Sequence, residues 1–245
     1  MNTAWTDWLS YRPADFLMFA PRIYWRLFES LNLAFWPLHA GIVLAGVAWL
    51  GWVWRDGGVP GRAAARAALA ALALGWALTA WAFLWHRLAP IHWLAGYIVP
   101  LFLLQAAALL ALALHGAVHG QHGRLRRAVG LALLLWALLL HPLLAGVSGR
   151  PWTQAEFTGL AADPTAIATL GLLLLLRGPR GPMRAQWVLP LAWCALSAAT
   201  LWTMGSAQGW VPCAALLLAG LAVQPGRDAA RVDGGPHRNG NGRSP

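Results

Sequence analysis

Apolar runs of about 20 residues, the length a helix needs to cross a hydrocarbon core of about 30 Å, recur along this chain and limit its fold more than any other feature. Seven are read, at 33–54, 64–85, 93–114, 128–147, 157–176, 186–204 and 209–224, the last being the shortest. Each is continuous in Leu and Ala, whereas a membrane barrel strand alternates apolar and polar residues over about 10 positions. Helices are therefore expected. With 59% hydrophobic residues, 11% charged residues and 17 Trp in 245, the chain holds more apolar material than one water-soluble core needs. The expected architecture is an all-α, polytopic transmembrane bundle over 33–224. An amphipathic interface segment (1–32) precedes it, and a disordered cytoplasmic tail (225–245) rich in Gly, Asn, Pro and Arg follows. The first 32 residues lack a basic start, an apolar core and an Ala-x-Ala exit, so no cleavable signal peptide is expected.

The net charge of +10 is carried by Arg alone. These residues are spread by loop and form no single patch, which argues against nucleic acid and for membrane topology. Arg55, Arg62 and Arg66 flank the first connection, Arg124, Arg126 and Arg127 the third, and Arg177, Arg180 and Arg184 the fifth, with four more in the tail. The opposite side holds Arg87, Arg150 and three N-terminal Arg. By the positive-inside rule the N-terminus lies outside and the C-terminus in the cytoplasm, consistent with a bacterial inner membrane. Trp36, Trp85, Trp93, Trp152 and Trp210 at outer ends, with Trp54 and Trp187 at inner ends, form an aromatic belt. Cys194 and Cys213 are too few for a disulfide framework or a thiolate cluster and read as packing residues. Gly41, Gly46 and Gly51 in the first run would let helix backbones approach closely.

Before the first run, Arg22, Arg26 and Glu29 recur at i, i+4 and i+7, while Ile23, Leu27, Phe28 and Leu31 fill another face behind Pro21. The pattern predicts an amphipathic helix lying on the membrane. Either it covers the outer mouth of a site or it simply snorkels at the interface.

Polar groups inside the runs are the candidate site. At about 1.5 Å per helical residue, Asp163 stands roughly 20 Å above the inner boundary, His141 roughly 20 Å and His39 roughly 22 Å, a common depth in the outer third of the bilayer. Each neighbours a proline: Pro164, Pro142 and Pro37 respectively. Proline removes a donor and frees carbonyls where water is scarce. Two readings follow. In one, His39, His141 and Asp163 line an outward-opening polar pocket with Arg22, Arg26, Glu29, His86, Arg87, His92, Arg150 and Glu156 around its mouth. In the other, Asp163 caps a helix that begins at Pro164 and each His donates to a carbonyl freed by its proline. His115, His119 and His122 read as a solvated loop, because Gly116, Gly120 and Gly123 interrupt any helix there.

The segments DFLMFAPRIYWRLFE (15–29), WHRLAPIHW (85–93), GRPWTQAE (149–156), DPTAIATLG (163–171) and ATLWTMG (199–205) resemble the bacterial domain-of-unknown-function family 6064. The resemblance covers nearly the whole chain short of the tail. It implies a multi-pass membrane protein, often labelled a permease of the major facilitator superfamily, and no established site residue. The chain has His92 where the family pattern leads one to expect Asn. A complete twelve-span permease does not fit in 245 residues.

Three functions remain open. The first is a small-solute transporter or permease-like protein in which Asp163 and His141 respond to protons. The second is a redox or metal-binding membrane protein with His39 and His141 as ligands to haem or a metal. The third is an accessory subunit that binds another membrane protein. Nothing combines a nucleophile, a base and oxyanion donors at a recognisable spacing, and no phosphate loop or zinc motif is present. No cofactor is specified by the residues, and the partners implied are the lipid bilayer and a small solute.

Overall fold

The computed structural model describes residues 20–115 and 118–223. The expectations for the first residues and for the tail at 225–245 lie outside the described residues, as does Gln224, with which the last apolar run closes. The described residues are all-α apart from one antiparallel pair of two-residue strands, His119–Gly120 with Leu176–Arg177.

Helix α1, Pro21–Ala34, begins with proline in its first turn, where the missing N–H leaves nothing unpaired. Its buried residues are Tyr24, Phe28, Leu31 and Asn32, while Arg22, Ile23 and Arg26 are exposed. Phe28 stacks on Phe83 at 4.8 Å between ring centroids, and the Asn32 side-chain amide donates to the carbonyls of Thr153 (2.8 Å) and Ala155 (2.7 Å). The helix thus packs on the protein as well as presenting a charged face. A turn through Pro37 ends it, and α2 runs from Leu38 to Arg55. The first apolar run is accordingly split, with Leu33 in α1.

Helix α3, Arg62–Leu88, adopts π geometry from Thr79 onward. Helix α4 is Trp93–His115. Helix α5, Arg124–Leu135, continues into a π turn, Trp136–Leu140, breaks at Pro142 and is followed by the short α6, Leu144–Val147. Then come α7, Ala162–Leu175; α8, Arg180–Thr203; and α9, Trp210–Val223. Four of these, α2, α3, α4 and α8, are long and apolar enough to cross a membrane, and α7 and α9 are shorter apolar helices.

The fifth apolar run departs most from its expected form. Proline fits best in the first turn of a helix, where its missing N–H strands no partner, and Pro164 takes that place here although α4 and α8 carry Pro100 and Pro190 in their interiors. Helix α7 instead begins at Ala162, and every one of its residues is buried. A helix apolar on all sides belongs at the centre of a bundle, and α7 is enclosed by α3, α5, α8 and α9. Two glycine contacts permit this. A Cβ on Gly171 of α7 would sit 2.8 Å from the Gly130 carbonyl oxygen of α5, and one on Gly75 of α3 would sit 2.9 Å from the Cα of Gly159. Gly159 itself has φ +84° in the turn that leads into α7. The close backbone approaches therefore occur here and not at Gly41 or Gly51, whose surroundings are empty within 4 Å. A buried amide pair, Gln105 donating to Gln186 at 3.0 Å, ties α4 to α8.

Candidate functional site

Two chain breaks meet near the N-terminus of α7, the one at Pro142 and the turn through Gly159. At the π turn of α5, the His141 N–H bonds back to the carbonyl of Trp136 at 2.7 Å, and Pro142 has no N–H to offer the next carbonyl, that of Ala137. The Thr158 hydroxyl donates to this oxygen at 2.8 Å. Thr165 completes the turn by accepting from the Gly159 N–H (2.7 Å) and donating to the Ala161 carbonyl (2.6 Å). Thr158→Val, which keeps the shape and removes the donor, is expected to destabilise the protein by about 1 kcal/mol, because it strands a buried carbonyl. Thermal unfolding of the purified protein measures this, and an unchanged midpoint would show that Ala137 is satisfied otherwise.

The strand-like segment 155–161 carries Glu156 into the interior beside His141 and Asp163; all three are buried. His141 Nε2 lies 3.8 Å from one Glu156 carboxylate oxygen and Arg150 Nη2 lies 3.6 Å from the other. Arg150 also donates to the Gln154 carbonyl and to the side chain of Gln208, both at 3.1 Å, and its guanidinium carbon sits 3.6 Å from the centroid of a Trp25 ring. Gln208 is fixed in turn by donating to Ser148 at 2.7 Å. Burial lowers the affinity of Arg150 for its proton, and Glu156 and Tyr24 act in the opposite direction. Tyr24 feels the same group of charges. Burial first, then the carboxylates of Asp163 and Glu156, hold its phenol well above the ordinary tyrosine range, with Arg150 opposing them.

Asp163 occupies the first turn of α7, where the helix dipole favours a negative charge. It is not the N-cap, as the sequence pattern suggested. That position is Ala161, and no side chain caps the helix. The carboxylate of Asp163 points instead at α8, accepting from Trp193 Nε1 at 2.8 Å and from the Ser197 hydroxyl at 2.5 Å. Trp193 and Ser197 are four residues apart and so share one helix face. Neither residue, nor Tyr24, is among those that the sequence marks as candidates. A Trp in the middle of an apolar run, away from the belt where Trp collects, was the available signal.

The other expected residues fall elsewhere. His39 packs against Trp36 and Phe157, with Nδ1 buried and unpartnered, and does not donate from that atom to a carbonyl. The same is true of His141 Nδ1. Of the two residues expected at a mouth beside α6, Glu156 is buried, whereas Arg150 keeps 11% of its side chain exposed. Arg22 and Arg26 are exposed, Glu29 accepts from Gln154 at 3.2 Å, and His86 packs edge-on against Trp81. Arg87 ties α3 to α1 by donating to the Ser30 hydroxyl at 3.1 Å.

A cavity of about 340 Å³ adjoins the cluster, between α1, the π segment of α3, the start of α4 and the end of α8. Tyr24, His92, Trp193 and Ser197 border it, so the two groups that hold Asp163 also form part of its wall. Neither His39 nor His141 borders it. Among the described residues, no three or more His, Cys, Asp or Glu are grouped so as to hold a metal ion. A family model described as a family of unknown function, DUF6064, matches residues 21–227. No curated protein and no solved structure matches the chain.

Proposed function

We propose, for a chain that belongs to DUF6064, a family of unknown function, the role of a permease-like transporter that moves a small solute across the bacterial inner membrane. In this reading the seven apolar runs cross or enter the bilayer, with the N-terminus outside and the C-terminus in the cytoplasm. The buried charges then lie in its outer third. One observation carries the proposal: Arg150, Glu156, His141 and Asp163 are gathered inside a shell of apolar helices and abut a cavity through Trp193 and Ser197. Ionisable side chains inside a membrane are costly and mark paths for solutes and protons. Intramembrane carboxylates such as Asp163 and Glu156 commonly belong to proton relays, so proton-linked movement is the form of transport expected.

The test uses purified full-length protein in vesicles that enclose a pH-sensitive dye. Amino acids, sugars, amines and carboxylates are added class by class. One class should move protons faster than in protein-free vesicles, and Asp163→Asn, shown to be folded by its thermal transition, should abolish that movement. Equal rates with and without protein for every class, or full activity in Asp163→Asn, would remove the assignment.

A further inference from the structure

The cavity beside Asp163 has a chemical bias that names a ligand class. A hydroxyl has one hydrogen to donate and lone pairs with which to accept. Besides the Tyr24 phenol, three aliphatic hydroxyls border the cavity, all on α8, and the hydrogens of these three are engaged elsewhere. Ser197 donates to Asp163, Thr200 to the Leu196 carbonyl at 2.9 Å and Thr203 to the Thr200 carbonyl at 2.7 Å. The Trp193 N–H is likewise directed to Asp163. What the three α8 hydroxyls retain for a ligand is acceptor capacity.

Charge and ring chemistry point the same way. The adjoining cluster holds two carboxylates, Asp163 and Glu156, against one guanidinium, Arg150, with the His141 imidazole beside Glu156 and the Tyr24 phenol nearby. Aromatic rings of Tyr24, Phe83 and Trp193 border the cavity, and such rings attract cations, more so where water is excluded. The remaining wall is mostly aliphatic, including Leu94, Ile98 and Leu196.

We propose that this cavity binds a protonated primary amine with an apolar body. The ammonium donates to the Ser197 and Thr200 oxygens within reach of the Asp163 charge, and the body lies against Leu94, Ile98 and Leu196. The inference rests on the transporter reading for its biological use, but binding itself requires only the cavity.

Phenethylamine serves as the probe, with 2-phenylethanol as its neutral counterpart and 3-phenylpropionate as its anionic one. Each is titrated calorimetrically into the detergent-solubilised full chain. Phenethylamine should bind saturably and at least tenfold more tightly than either counterpart, and Asp163→Asn should weaken it at least tenfold. If that variant does not fold, Phe83→Leu is used; it should weaken phenethylamine severalfold and leave 2-phenylethanol unchanged. Equal binding of the three compounds, or unchanged amine binding in a folded variant, overturns the proposal. If vesicles carry a sugar or a carboxylate through Asp163 while phenethylamine does not bind, the transporter reading stands and the amine assignment falls. Saturable, Asp163-dependent amine binding without any solute movement supports the amine site and removes transport.

Discussion

Arg150→Ala is expected to cost about 3–5 kcal/mol of stability, the range found when one partner of a buried ion pair is removed. The loss arises less from the attraction itself than from what remains behind. Glu156 is 4% exposed, and without the guanidinium its charge would sit near the Asp163 carboxylate with only the more distant His141 imidazole for compensation. Arg150 also links three other parts of the structure, the Gln154 carbonyl, the Gln208 side chain and the Trp25 ring. Lysine should not replace it, because a point charge cannot fork between a carboxylate and an amide while stacking on an indole. Pairing Arg150→Met with Glu156→Leu should recover most of the loss, since apolar replacement of both partners removes the stranded charge. Denaturant unfolding of the parent, Arg150→Met, Glu156→Leu and the double variant in mixed micelles gives the full cycle. If Arg150→Met lost no more with Glu156 present than with Glu156→Leu, the carboxylate would not depend on Arg150.

The contrast between these charges and their surroundings explains what could be read from the sequence. Helix type and the proline breaks follow from apolar run length and local chain chemistry, and His141 comes within 3.8 Å of a Glu156 carboxylate oxygen. The partners of Asp163 could not be found that way. Lipid tails are as apolar as leucine, so hydropathy does not distinguish a helix face turned to lipid from one turned to protein. Helix α2 and helix α7 are both apolar runs, yet in α2 only His39 and Val53 are buried, whereas α7 is buried throughout. The same blindness hides the burial of Glu156, because a loop of polar composition gives no sign that it folds inward. It also hid Tyr24, whose hydroxyl belongs to the charged cluster although the residue sits on the packed face of α1.

Gly171→Ala tests the central position of α7 directly. In an ordinary helix interior this exchange stabilises, by about 1 kcal/mol, because alanine restricts the unfolded chain and shields the backbone. At Gly171 the added carbon would stand 2.8 Å from the Gly130 carbonyl oxygen, 3.0 Å from Leu134 Cγ and 3.1 Å from Leu133 Cβ. A backbone oxygen cannot rotate away as a side-chain end can, so α5 and α7 must separate. Overpacking of this kind costs about 1–3 kcal/mol and occasionally more, and the upper part of that range is expected because two backbones are in contact. Gly41→Ala is the matched control, in a helix of similar composition with nothing within 4 Å of the new carbon. It should be neutral or stabilising under the same conditions. Separation of α5 from α7 would also draw the π turn carrying His141 away from Glu156, so Gly171→Ala should weaken any Asp163-dependent binding as well as stability. If both glycine variants proved equally benign, α7 would not be held at the centre by its neighbours, and the enclosure of the charged cluster would lose its physical basis.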